Sequence, residues 1–353
     1  MKALHHPDKI SFASDNYSGV HPEIMQALAV ANGGHVGAYG GDVYTEYLQV
    51  VIQQHFGERA EAWPVWSGTG ANVLALQALL PRWGGVICAE NAHIHADEST
   101  APQSVGGFKL WTVASPCGKL SPRLIDTQAW GYGFEHRAQP LVTSITQTTE
   151  LGTCYAVEEI RAISRHVHKL GMTLHMDGAR LANAAAYLGV SLREITTDAG
   201  VDILSFGGTK NGLMFGECIV VCNPEAIKAD ALKYLRKLNL QLASKMRFLS
   251  AQFIALLEND LWLRSAEQAN TMALRLAAGL RKIEGIEICQ AVESNAVFAK
   301  LPYGAADKLR QHYAFYDWDN EGTIRLMCSF DTQEAHVDEF LQNVRQVLKS
   351  MPV

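Results

Sequence analysis

The chain predicts an α/β fold, with a large domain built on a mostly parallel sheet and a smaller C-terminal α+β domain. Three observations carry this reading. Between about residues 62 and 223, short apolar runs alternate with helix-like stretches, the pattern of a parallel sheet covered by helices. After Pro224 the character changes to a long helical region, roughly 225–282, then to short strands and a last helix. Several of the apolar runs also end in a polar or glycine-rich turn before the next element starts. In an open α/β sheet such turns face one crevice, and ligands bind there.

Taken in order, Ile10-Ser11-Phe12-Ala13-Ser14-Asp15-Asn16 reads as a short strand or extended arm leading into a helix over 22–31. Ala62-Trp63-Pro64-Val65-Trp66 leads through a turn into a helical run over 73–80. Strands are expected over 85–89, 109–114, 140–146, 173–177, 201–206 and 218–222, with helices over 157–170 and 179–188. The C-terminal part carries strands over 286–290, 297–300 and 323–328 and a helix over 332–348. The division is an arm over 1–15, a large domain over 16–250 and a small domain over 251–353. No internal repeat or low-complexity linker interrupts it.

Composition narrows the function. The 353 residues are 48% hydrophobic and 19% charged, with a formal net charge of −6, an ordinary globular balance. No basic run argues for nucleic acid, and no apolar stretch approaches the ~20 residues a membrane span needs. Residues 1–8 lack an apolar core and do not read as a signal peptide. The seven cysteines are widely and irregularly spaced with no CxxC pair, so they read as core thiols in a reducing, cytoplasmic setting.

Three turns bring chemistry. Ser67-Gly68-Thr69-Gly70 precedes a helix and offers backbone N–H groups and hydroxyls suited to a phosphate. Thr173-Leu174-His175-Met176-Asp177 ends an apolar run in a carboxylate. Val201-Asp202-Ile203-Leu204 breaks into Ser205-Phe206-Gly207-Gly208-Thr209-Lys210-Asn211-Gly212. A desolvated lysine is a nucleophile toward carbonyls, and flanking glycines would let the backbone pass close to a flat cofactor. Each piece alone has a plainer reading: a tight turn, a helix cap, a surface lysine. Together, a phosphate cup, an acidic partner for a pyridinium nitrogen and an imine-forming lysine are the needs of pyridoxal 5′-phosphate.

With those residues in place the chain resembles the low-specificity L-threonine aldolases, pyridoxal-phosphate enzymes of the aspartate-aminotransferase fold type. The likeness runs through nearly the whole length. It is most specific at Phe12–Gly19, at His175-Met176-Asp177-Gly178-Ala179-Arg180, at Phe206–Gly212 and at Leu242-Ala243-Ser244-Lys245-Met246-Arg247-Phe248-Leu249-Ser250. The resemblance implies that Lys210 joins the cofactor as an imine, that Asp177 pairs with the pyridine nitrogen, that Gly68 and Thr69 hold the phosphate and that His93 stacks over the ring. It implies that Ser14, Arg180 and Arg325 grip the substrate carboxylate. Arg180 also borders the cofactor, and Arg247 reaches the phosphate region from a neighbouring subunit, which makes a homodimer or homotetramer with shared sites. The activity implied is cleavage of L-threonine, L-allo-threonine and related β-hydroxy-α-amino acids to glycine and an aldehyde.

The residues themselves support some of these roles. Arg325 stands alone in the apolar run Thr323-Ile324-Arg325-Leu326-Met327, where a guanidinium wants an anionic partner and its fork matches a carboxylate. In Asn91-Ala92-His93-Ile94-His95 strand-like alternation would put His93 and His95 on one face, without the third ligand a structural metal site needs. Asp97 and Glu98 follow and are expected to line the same pocket. Two segments depart from the family. Thr148-Thr149-Glu150-Leu151-Gly152 replaces a Thr-His-Asn stretch, so the base for the β-hydroxyl is His93, Glu150 or a phosphate-bound water. A Tyr-Gly-Asp-Asp segment reads Tyr39-Gly40-Gly41-Asp42, with Tyr39 expected at the substrate. A phenylserine-preferring aldolase, a β-eliminating lyase or racemase, and a non-catalytic cofactor-binding interaction protein are the alternatives.

Overall fold

In the computed structural model, which describes residues 2–6 and 9–351, a seven-stranded sheet runs in the order β1-β7-β6-β5-β4-β2-β3. Met1, Pro7 and Asp8 of the expected arm lie outside the described residues, as do the last two residues of the expected small domain. The strands are β1 (Glu61–Val65), β2 (Gly84–Ala89), β3 (Lys109–Val113), β4 (Gln139–Thr146), β5 (Thr173–Gly178), β6 (Ile203–Gly207) and β7 (Glu217–Val221). From β3 to β6 every pairing is parallel, and β7 is antiparallel to both β6 and β1. β1 is an edge strand, which is why it tolerates Pro64, a residue with no N–H to give a ladder. The mostly parallel α/β architecture is as the sequence predicts.

Both faces of this sheet are covered. Val65, Ile203, Ile219 and Val221 pack toward the helices Gly68–Leu79 and Ala231–Leu238. The alternate residues Leu204, Phe206, Cys218 and Val220 belong to the larger core on the other side. That core takes in the helices Val43–Phe56, Val157–Lys169, Leu181–Leu188 and Met246–Leu257. The helix Val43–Phe56 was not foreseen. Asp42 starts it by accepting from Thr45 N at 2.9 Å, a side-chain cap.

The small antiparallel sheet runs β10-β11-β9-β8, from β8 (Glu287–Ile288), β9 (Ala296–Lys300), β10 (Tyr316–Asp317) and β11 (Thr323–Met327). Residues 9–14 form an extended arm rather than a strand: Phe12 N–H donates to Ala314 O and Phe12 O accepts from Met327 N. The helical region after Pro224 resolves into Ala231–Leu238, Met246–Leu257 and Leu261–Leu280. The last of these belongs to both cores, with Ala266 in the large one and Met272 in the small one. We keep the division at 15/16 and 250/251 as a proposal, with Leu261–Leu280 as the shared helix. Among the described residues no helix is long and apolar enough to cross a membrane.

At the end of the sheet opposite the carboxyl ends of its parallel strands, His168 of the helix Val157–Lys169 donates from Nε2 to the buried Asp202 at 2.7 Å. This hydrogen bond raises the His168 pKa above the ordinary histidine value, against the opposing effect of burial. A group whose pKa is higher folded than unfolded stabilises the fold below its unfolded pKa and loses that contribution as pH rises through the folded value. We therefore expect the difference in melting temperature between the wild type and His168→Gln to be largest near pH 5.5 and to shrink above neutrality. A gap that widens with pH would contradict this.

Candidate active site

The carboxyl ends of β5 and β6 and the start of the helix Gly68–Leu79 converge on two adjoining chambers that share Asn16, His93 and Lys210. The inner one, about 300 Å³, is lined by Gly68, Thr69, Asp177, Ser205 and Lys210. The outer one, about 530 Å³, takes Ser14, Asp97, Glu150, Arg180, Lys210 and Arg325. The three turns singled out from the sequence thus meet in space, as loops beyond parallel strands do.

Lys210 sits half-buried in a short turn, Thr209–Asn211, directly after β6. The turn is stitched down on both sides. Asn211 donates to Trp262 O at 3.0 Å, and Gly208 N–H donates to Glu217 Oε2 at 2.6 Å. Burial pushes the Glu217 carboxyl up to about 7. The glycines next to Lys210 also make room for the protein itself, while Gly207 lines the inner chamber. A Cβ on Gly207 would lie 2.3 Å from Ala179 O, and one on Gly208 would lie 2.4 Å from Leu213 Cδ1. At Gly68 a Cβ would meet nothing within 4 Å, so space is open at that helix N-terminus.

Asp177 is buried at the end of β5 and accepts from Ala179 N at 3.0 Å and Asn72 Nδ2 at 2.9 Å. Beneath it, His175 bridges Ser144 (2.8 Å) and Ser205 (3.1 Å). Burial drives its pKa down to about 4, against the pull of Asp177, so it is a neutral spacer. His93 opens a short helix, His93–Ala96. Two residues on a helix point well apart, so His93 faces the chambers while His95 is exposed. This corrects the strand-like expectation for that pair. Glu98 turns inward and accepts from His93 Nδ1 at 2.8 Å. Asp97 is exposed at the rim of the outer chamber.

Two arginines border the outer chamber, and they differ. Arg180 is buried and held in a fork by Asp15, with Nε to Oδ2 at 2.8 Å and Nη2 to Oδ1 at 3.0 Å. Asn295 adds a third donor to Asp15 at 3.0 Å. Burial alone would raise the Asp15 carboxyl, but the Arg180 charge and hydrogen bonds outweigh it and hold Asp15 below the ordinary value. Arg325 makes no ion pair among the described residues. Its Nη2 gives one long bond to Ala13 O (3.4 Å), and its Nε is buried without a partner. The rings of Tyr316 and Trp318 flank it, each 5.5 Å away.

The departures resolve as well. Thr149 turns into a buried bond with Thr153 (2.7 Å), whereas Glu150 lines the outer chamber. Ser14 lines it too and accepts from Asn16 N at 3.2 Å. Tyr39 and Arg247 stand elsewhere on their own chain. Tyr39 is exposed beside Lys237, and Arg247 donates to Gly33 O and Gly34 O. Sequence reasoning missed Asp15, Asn72, Glu217 and Asn295. The trace in the sequence is that Asp15 lies within Phe12–Gly19, one of the segments where the family resemblance is most specific.

This donor set fits pyridoxal 5′-phosphate: open N–H groups at a helix start, a buried carboxylate, a lysine and a histidine around one chamber. The fold is that of pyridoxal-phosphate enzymes. A beta-eliminating lyase family model matches residues 11–302, and the chain belongs to that family, which is pyridoxal-phosphate-dependent. It is 43% identical to the low specificity L-threonine aldolase of Pseudomonas sp. strain NCIMB 10558, over 96% of this chain and 98% of that one. It is also 43% identical to the protein of the same name from Pseudomonas aeruginosa, over 96% and 97%. The structure of a threonine aldolase from Leishmania major superposes with a TM-score of 0.90 at 30% identity, covering 96% of this chain and 99% of that one.

The Asp15–Arg180 fork gives the site its sharpest stability test. Removing one partner of a buried ion pair leaves the other uncompensated, at a cost of about 3–5 kcal/mol. Asp15→Ala is expected to lose that much in urea unfolding. A loss below about 1 kcal/mol, the worth of an exposed pair, would contradict the assignment.

Proposed function

We propose that this protein cleaves L-threonine, L-allo-threonine and related β-hydroxy-α-amino acids to glycine and an aldehyde, using pyridoxal 5′-phosphate. The observation that carries this is Arg325: a half-buried guanidinium with no carboxylate of its own among the described residues and a buried Nε without a partner, in the chamber that also holds Lys210. Such a cation calls for an anionic ligand, and an amino acid's α-carboxylate matches its fork. When bound, the cofactor supplies an electron-withdrawing ring that accepts the electron pair of a bond broken at the α-carbon.

Lys210 would hold the cofactor through Nζ, and Asp177 would keep a proton on its ring nitrogen. Gly68 and Thr69 would offer backbone N–H groups to its phosphate, and His93 would pack against it. Arg325 takes the substrate carboxylate, with Ser14 and the Arg180 hydrogens that Asp15 leaves free. Fixing the carboxylate sets which bond at the α-carbon is aligned for cleavage, and positioning of this kind is a large part of catalysis. His93 or Glu150 removes the β-hydroxyl proton, and Asp97 shapes the rim. Arg247 and Tyr39 serve a neighbouring subunit's site in a homodimer or homotetramer. Neither lines the chambers of its own chain, which supports this, as do the exposed Leu238 and Leu240. The seven free cysteines support a cytoplasmic location.

Aldehyde and glycine are expected in equal amounts when the holoenzyme meets L-threonine, and Lys210→Ala is expected to lose both the visible cofactor band and turnover. Arg325→Gln keeps the band but loses a charge-assisted contact of about 1.5–3 kcal/mol, roughly ten- to hundredfold in kcat/KM. Ammonia and a keto acid from serine, with no aldehyde from threonine or phenylserine, would replace aldol cleavage by elimination.

A further inference from the structure

Glu98 and Asn72 are both buried behind the lining residues His93 and Asp177 of the inner chamber, and the roles above use neither. Glu98 Oε1 accepts from His93 Nδ1 at 2.8 Å and from Asn72 Nδ2 at 2.8 Å. The same Asn72 nitrogen donates to Asp177 Oδ2 at 2.9 Å. An amide nitrogen has two hydrogens, so both are taken, one by each carboxylate. A continuous line therefore runs His93–Glu98–Asn72–Asp177.

The charges along it do not balance as a structural cluster would. Glu98 makes no ion pair with lysine or arginine among the described residues, and its Oε2 has no hydrogen-bond partner. Its one cationic partner is His93. A carboxylate cannot donate, so Nδ1 must carry the proton, and the tautomer is fixed. Nε2 of His93 has no partner among the described residues, and its ring lines both chambers. Asp177 and Glu150 are the other acids acting on His93, while Lys210, Arg180 and Arg325 are the cations of the same chambers. The hydrogen bond from Glu98 comes first in raising the His93 pKa, against the effect of burial.

We propose that Glu98 is a positioning residue that makes His93 the proton acceptor for the substrate's β-hydroxyl, and that Asn72 ties the same carboxylate to Asp177. This rests on reading the chambers as the aldolase site. Glu98 holds the proton on Nδ1 and leaves the Nε2 lone pair free. As the Cα–Cβ bond breaks, the O–H bond breaks, Nε2–H forms, and Glu98 stabilises the imidazolium. The aldehyde leaves, and the α-carbon gains one proton as glycine forms, so the cycle consumes none. Among the described residues Glu150 has no comparable partner to hold it, and Asp97 is exposed.

The test uses the apoprotein first, so that it stands apart from activity. Diethyl pyrocarbonate modifies only unprotonated imidazole, and peptide mapping reads His93 across pH 5–9. In the wild type, half-maximal modification of His93 is expected above the ordinary histidine value of about 6.5. In Glu98→Gln, which accepts the same hydrogen without the charge, it is expected at lower pH than in the wild type. In the holoenzyme, the rising limb of kcat/KM against pH is expected to move the same way. Equal midpoints in the two proteins, or a wild-type midpoint at or below 6.5, would overturn the proposal. The second criterion needs no variant to fold. Loss of threonine cleavage with the His93 shift intact would instead count against the aldolase reading alone.

Discussion

The Asp15–Arg180 ion pair holds the site together. Asp15 follows the N-terminal arm, Arg180 follows β5 of the large sheet, and Asn295, which adds a third bond to Asp15, precedes β9 of the small one. A buried ion pair of this kind contributes little net stability. What it supplies is position, since three parts of the chain must meet for either charge to be satisfied. Its second effect is on the neighbouring arginine. Because Asp15 neutralises Arg180, it is Arg325 that remains a half-buried cation without a counter-ion among the described residues, and the outer chamber acquires an unmet demand for an anion.

Beneath this, the parallel sheet does what its topology requires. Loops after β5 and β6 and the helix start at Gly68 face the same side, so lysine, carboxylate and N–H groups are neighbours without being close in sequence. The surrounding polar groups are fixed by one another. His175 is neutral between two serines, Asp177 is held by Ala179 and Asn72, and the lysine turn is fastened to Glu217 and Trp262. Little of this has to move when a ligand enters, which is the condition for a preorganised site.

Much of this was legible in the sequence because it is local. Strands ending in a functional residue, such as β5 into Asp177 and β6 into Lys210, announce themselves by a short apolar run and a turn. What was not legible depends on partners far away in the chain. Asp15 and Arg180 are 165 residues apart, and nothing in either neighbourhood says that Arg180 has a partner while Arg325 does not. His93 and His95 were read with the period of a strand, whereas Asn91 starts a turn into a short helix, and the period changes with it. The glycines beside Lys210 were visible as glycines, but only the packing of Ala179 and Leu213 reveals what they make room for.

The central claim is that the turn after β6 delivers the lysine that joins the cofactor. Borohydride reduction of the holoenzyme, followed by proteolysis and mass spectrometry, tests it directly. The account requires one phosphopyridoxyl group per chain, on the peptide containing Lys210. A label on any other lysine, or a reduced protein carrying none, would contradict it.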